Sequence, residues 1–241
     1  MQNYLQNQAN FTVYVLNENA VTLQFDQCIS EENLHNINAY NTLLGQQPFP
    51  GMQATVPAYT TLCVFYDILQ VMQSNLPGKS CHDKVVAYLK NLQPGATYDA
   101  HIGNIVTLPV CYGGNLGPDL EEVARVNHIT VEKVIELHTV ATYKVFMIGF
   151  VPGFAYLGGM VANLATPRKA TPRKAVPAGS VGIAGGQTGV YPLETPGGWQ
   201  LIGQTPLRLF DAKRSNPSLL KAGDEVRFIP ITHTEFQTYL S

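Results

Sequence analysis

The chain has 241 residues, a formal net charge of −2, 45% hydrophobic residues and only 13% charged residues. Near-neutral charge argues against nucleic acid as the main partner, and no run of about 18 apolar residues offers a membrane span. The opening MQNYLQNQAN lacks the basic and apolar regions of a secretory signal, so a cytoplasmic protein is expected, with one large or two modest domains.

The low charge density predicts a surface that is uncharged polar or partly covered by a partner protein. Residues 11–16 (FTVYVL) and 20–25 (AVTLQF) alternate as strands around a short turn and predict a hairpin. Ser30 caps a predicted helix with Leu34, Ile37, Asn41 and Leu44 near one face, and Gly45 is placed to end it. Residues 54–58 and 61–66 predict a second hairpin. Residues 81–92 carry Val85, Tyr88, Leu89 and Leu92 at helical spacing, closed by Pro94-Gly95. The first domain, 1–95, thus reads β-β-α-β-β-α, a two-layer α+β arrangement with helices on one sheet face.

From residue 96 to 241 the pattern changes to short apolar runs separated by Gly and Pro: IVTLPVCY, YKVFMIGF, VGIA, VYPL, WQLIG, PLRLF and VRFIPI. Such spacing predicts a mainly β domain, a barrel or a sandwich. A helical insert at about 118–139 interrupts it. There Asp119 and Glu122 are spaced as a capping box, and Thr130 is placed to cap a second helix. The insert is acidic, which argues against a DNA-reading helix pair.

No histidine pair has ligand spacing and no CxxC is present, so no metal site is predicted. Cys28, Cys63, Cys81 and Cys111 read as reduced structural thiols. His138 is placed at the rim of a helix–barrel contact or as a donor into a ligand pocket. The densest signal is residues 149–203. Gly182, Gly185, Gly186 and Gly189 either form a backbone nest for an anion or serve strand bends. The repeat TPRKATPRKA holds Pro167 and Pro172, which exclude a central strand and predict an edge or projecting ribbon. If it is extended, the five-residue offset puts Arg168 and Arg173 on opposite faces. Phe150, Phe154 and Tyr156 alternate, which would put three rings on one side of an extended segment.

The motifs PVCYGG (109–114), GPDLEEVA (117–124), GFVPGFAYLGG (149–159), the repeat block through GVYP, and PGGWQLIGQTPLRLFD (196–211) resemble the family of bacterial 5-oxoprolinase B subunits. Older names for that family are allophanate hydrolase subunit 1 and Kip-type histidine-kinase inhibitor. The resemblance implies a small N-terminal α/β domain and a C-terminal cyclophilin-like β-barrel. It also implies two partners, the C and A components of 5-oxoprolinase, the first of them with a second cyclophilin-like barrel. In that assembly ATP, with magnesium, drives opening of the 5-oxo-L-proline lactam to L-glutamate. A regulatory alternative, inhibition of a sensor histidine kinase, is implied by the same motifs. By motif position and chemical type, the residues nominated for contact with substrate, ATP or a partner are His138, Phe150, Pro152, Gly153, Tyr156, Arg168, Arg173, Pro177, Ser180, Gly185, Gln187, Tyr191, Trp199 and Gln200. No catalytic acid, base or nucleophile is assigned.

Overall fold

A computed structural model describes residues 11–93 and 103–240. The chain divides into two compact units, Met1–His101 and Ile102–Ser241.

The first unit begins with the hairpin β1 (Thr12–Asn17) and β2 (Ala20–Gln24). Helix α1 (Glu31–Gln46) follows, with the Ser30 hydroxyl accepting from the Asn33 N–H at 3.1 Å. Gly45 does not end it; the helix runs one residue further, and the Gln47 N–H closes onto Leu43 O at 2.8 Å. Strands β3 (Met52–Pro57) and β4 (Thr61–Tyr66) complete a sheet of order β1-β2-β4-β3. A short helix α2 (Ile68–Gln73), capped by Asp67, has no counterpart in the sequence pattern. Its six residues are too few to show a helical period. Helix α3 (Cys81–Asn91) carries a capping box between Ser80 and Asp83. Val85 and Leu89 of α3 join Ile37 and Leu44 of α1 over Val21, Leu23, Leu62 and Val64 of the sheet in one buried core. The predicted Pro94-Gly95 stop lies outside the described residues.

The second unit contains β5 (Ile105–Tyr112), α4 (Leu120–Val126), α5 (Val131–Val140), β6 (Thr142–Ile148), β7 (Ala155–Gly158), β8 (Arg173–Val176), β9 (Ser180–Ala184), β10 (Gln187–Val190), β11 (Thr195–Gly197), β12 (Gln200–Gln204), β13 (Glu225–Pro230) and α6 (His233–Leu240). Seven of these strands close a barrel in the order β10-β7-β6-β13-β5-β12-β9, with β9 pairing β10 across the closure. The β5–β13 pair is parallel; the other barrel pairs are antiparallel. Leu108, Val145, Leu157, Ile183, Ile202 and Phe228 are among the residues filling the interior, and Leu120, Val123 and Val134 of α4 and α5 extend that core. Burying such a set, at about 25 cal/mol per Å² of apolar surface, is what holds the sheet closed. Strands β8 and β11 form a separate two-stranded ribbon.

Two local expectations fail here. PLRLF (206–210) is not a strand; only Phe210 makes an isolated bridge, to Ser218. The Asp119–Glu122 capping box does not form. Asp119 sits at the N-cap of α4 without a capping bond, because its carboxylate is taken by distant partners, while Glu122 pairs with Arg125 at 2.7 Å. The Thr130 cap does form, at 3.2 Å from the Lys133 N–H. Among the described residues, no helix is long and apolar enough to cross a membrane.

Candidate functional site: the outer face of the barrel

The glycines of the 149–203 block make room for rings. A Cβ at Gly189 of β10 would lie 3.1 Å from the Trp199 ring and 3.2 Å from the Phe154 ring, and one at Gly182 of β9 would lie 3.1 Å from Trp199 Cβ. Only glycine lets aromatic faces rest this closely on the strand backbone. Phe154 is the hub, 4.9 Å from Tyr156, 5.4 Å from Tyr191, 5.6 Å from Trp199 and 5.6 Å from Phe150 between ring centroids. Phe154, Tyr191 and Trp199 form a separate buried cluster with Val176 of β8, Ala184 and Leu201, and Tyr156 packs against it. The anion-nest reading of Gly182 and Gly189 is therefore corrected: the two face each other in the β9–β10 ladder, with the Trp199 and Phe154 rings on Gly189 and the Trp199 Cβ and Leu201 side chain on Gly182. Gly185 (φ +57°) turns the exposed β9–β10 hairpin, and its N–H is donated to Thr166 O at 2.7 Å.

The β6–β7 connection is a tight turn in which Gly149 N–H donates to Phe154 O at 3.0 Å. Phe150 has φ +68° and is 62% exposed. A bulky residue in the left-handed region costs about 1–2 kcal/mol, so the surroundings hold it there. The rings of Phe150, Phe154 and Tyr156 do meet, but through this turn rather than by alternation along an extended strand. Pro152 is exposed. Gly153 (φ +82°) packs on Phe210, whose Cβ would lie 2.8 Å from a Cβ placed there.

The repeat is folded, not extended. Bends at Ala170 and Thr171 separate its halves. Asp119, 5% exposed, accepts two bonds from Arg173 at 2.7 Å each, one from Lys169 Nζ at 2.9 Å and one from the Leu201 N–H at 2.7 Å. Burial pushes the Asp119 carboxyl up, but the hydrogen bonds from Arg173, Leu201 and Lys169 outweigh it and hold the group below the usual carboxylate range. The two arginines differ in setting: Arg173 turns inward onto Asp119 while Arg168 is exposed, and both lie near enough to the buried Tyr191 phenol to act on it. Burial raises the Tyr191 pKa, while a Trp199 backbone hydrogen bond and the two guanidinium groups pull it down.

The remaining nominated residues are dispersed. His138 is neither at a rim nor in a pocket. It is fully buried in the barrel, 2.8 Å from Tyr112 Oη through Nδ1 and 3.0 Å from Thr188 Oγ1 through Nε2. Thr188 donates to Gly182 O at 3.0 Å, so it accepts from His138, which fixes the Nε2–H tautomer. Burial lowers the His138 pKa to about 3. Ser180 is buried in β9, and its carbonyl accepts from the Tyr191 N–H at 2.9 Å. Pro177 is exposed beside it, and Gln187 is half-buried at the β10 start. Gln200 is buried; its Nε2 donates to Pro167 O at 2.9 Å, while its Oε1 is buried with no protein partner among the described residues. Tyr156, Arg173, Tyr191 and Trp199 are thus brought together, with Arg168 close by.

Sequence reasoning missed the concavity beside this cluster. An open pocket of about 620 Å³ is walled by Gly179, Pro192, Gln204, Leu207, Arg208, Phe210 and Phe236, among others. Phe210 links it to the Gly153 turn. No local signal marked this segment as irregular: Pro206 opens the run, a position a strand tolerates, and β5 of the same barrel carries Pro109 within its ladder. Among the described residues no three His, Cys, Asp or Glu side chains gather as a cation site. The cationic ribbon offers charge for an anion, yet these residues do not by themselves fit a magnesium nucleotide.

Residues 11–220 match the family model for the carboxyltransferase domain, subdomain C and D. The chain is 45% identical over 231 residues to the B subunit of 5-oxoprolinase from Bacillus subtilis, covering 95% of this chain and 96% of that one. The crystal structure of TTHA0988 superposes with a TM-score of 0.75 at 36% identity, covering 88% of this chain; the chain spans 40% of that longer one. The K. lactis urea amidolyase structure shares the fold, with a TM-score of 0.74 at 19% identity over 95% of this chain and 15% of that one. The motif blocks, the closed barrel and these similarities agree: the chain belongs to the carboxyltransferase subdomain C and D family, alongside proteins named as the B subunit of 5-oxoprolinase.

Proposed function

We propose that the chain is the B component of an ATP-dependent 5-oxoprolinase that opens 5-oxo-L-proline to L-glutamate together with the C and A components. The observation that carries this reading is full-length similarity, at 45% identity, to a protein of that name. The geometry supports a part-site rather than a whole one. The Arg173–Lys169–Asp119 cluster, two cations on one carboxylate, leaves positive charge beside Tyr156 and Tyr191, the chemistry that a carboxylate or a developing oxyanion needs. The neighbouring 620 Å³ pocket is open and much larger than a five-membered lactam. A partner protein closing over this face would dry the site and strengthen those charges.

A lactam carbonyl is a weak electrophile, and ATP supplies its activation when bound in the assembly. This chain's residues bind and orient; the cations hold the substrate's negative charge. The test mixes the chain with the A and C components, 5-oxo-L-proline, ATP and magnesium, and measures glutamate. Glutamate that depends on all three proteins is expected. A protein that acted only as a sensor-kinase inhibitor would leave glutamate formation unchanged when omitted.

A further inference from the structure

The two TPRKA pentapeptides are identical in sequence but not in environment. Lys169 of the first and Arg173 of the second turn inward onto Asp119. Arg168 of the first and Lys174 of the second are exposed, with no carboxylate partner among the described residues. The repeat thus spends one cation of each unit on holding the ribbon and presents the other to solvent.

The presenting backbone is fixed. The Lys169 N–H donates to Gly198 O at 2.7 Å, and Arg173 Nη1 to Trp199 O at 3.3 Å. Thr166 and Gly185 exchange bonds of 3.2 and 2.7 Å, and β8 pairs with β11. A prearranged surface loses little conformational entropy when it binds. Of the four cations in the ribbon, Lys169 and Arg173 share the single carboxylate of Asp119, and Arg168 and Lys174 have no ion-pair partner among the described residues, so the patch is positive on a chain of net charge −2. Neither Arg168 nor Lys174 lines the 620 Å³ pocket. An unpocketed cationic surface suits a protein partner better than a small ligand.

We propose that the ribbon is the docking surface for an acidic segment of a partner protein, with Arg168 and Lys174 meeting its carboxylates. This rests on the reading above, that the chain works as one part of an assembly, and names the C component of 5-oxoprolinase as the partner. Such rim charges set association rate, register and salt dependence.

The experiment measures the Kd of the full chain for the C component between about 50 and 300 mM NaCl. The variants are the double substitution Arg168→Glu, Lys174→Glu and, as a control outside the ribbon, Lys79→Glu. The expected result is an affinity at least about tenfold weaker for the double variant, with a flattened salt dependence, an unchanged melting temperature, and wild-type behaviour for Lys79→Glu. An unchanged Kd in the double variant overturns the proposal, as does a wild-type chain that does not bind the C component. So does direct binding of inorganic phosphate that the double variant loses while its affinity for the C component stays intact. Tight, ribbon-dependent binding without glutamate formation leaves the surface standing and sinks the functional reading alone.

Discussion

Lowering the pH from 7 to 5 is expected to cost the barrel unit about 2 kcal/mol of unfolding free energy through His138 alone. Burial holds its folded-state pKa at about 3, against about 6.5 in an unfolded chain. The unfolded state therefore takes up a proton below about pH 6.5 that the folded state refuses until about pH 3. The stabilisation is complete above about 6.5 and is lost as pH falls, at about 1.4 kcal/mol per unit across that window. Asp119 and Asp211 are held below the usual carboxylate range, so the stability they contribute is lost only as pH falls beyond the window from 7 to 5 in which His138 acts. Urea unfolding followed by the fluorescence of Trp199, the only tryptophan, reports this unit directly. His138→Gln should lower stability at pH 7, since Tyr112 and Thr188 lose their partner, but should flatten the dependence between pH 7 and 5. A wild-type loss below about 0.5 kcal/mol, or an equal pH dependence in the variant, refutes the argument.

Asp119→Ala leaves Arg173 and Lys169 without their carboxylate and is expected to cost about 3 kcal/mol; trypsin should then cut at Lys169 or Arg173 well before the wild type is cut. Gly189→Val forces a side chain into the Trp199 and Phe154 rings and is expected to cost about 1–3 kcal/mol, with red-shifted Trp199 emission. Phe150→Gly relieves the positive φ and removes a mostly exposed ring, so its melting temperature should be equal to or above that of the wild type. A marked drop would mean the ring contributes more packing than its exposure allows.

What was legible in the sequence is what short-range chemistry decides. Ser30 and Thr130 cap their helices because the competing groups lie three residues away. The alternating runs of the first unit became strands even at the sheet edges, where β1 and β3 each pair with a single neighbour. Asp119 shows the limit: its local capping role lost to Lys169, Arg173 and the Leu201 N–H, 50 to 82 residues further along, donors that no local pattern connects to it. The glycine block was visible as unusual, but whether a glycine faces an anion or a ring depends on what folds over it. For Gly182 and Gly189 that was Trp199 and Phe154. His138 had a helical position consistent with a barrel contact, while its full burial came from β5, β10 and β13 closing around it. The pocket beside the aromatic cluster was hidden by an apolar run, 206–210, read as a strand, whose composition does not differ from that of the true barrel strands.

The central claim is that this chain is an obligatory part of a larger enzyme, and titration tests it most directly. With the A and C components, 5-oxo-L-proline, ATP and magnesium fixed, the rate of glutamate formation is measured as this chain is added. The account predicts no appreciable rate without it, then a rise that saturates at a fixed ratio to the C component. A rate that is independent of the chain, or that falls as it is added, contradicts the account.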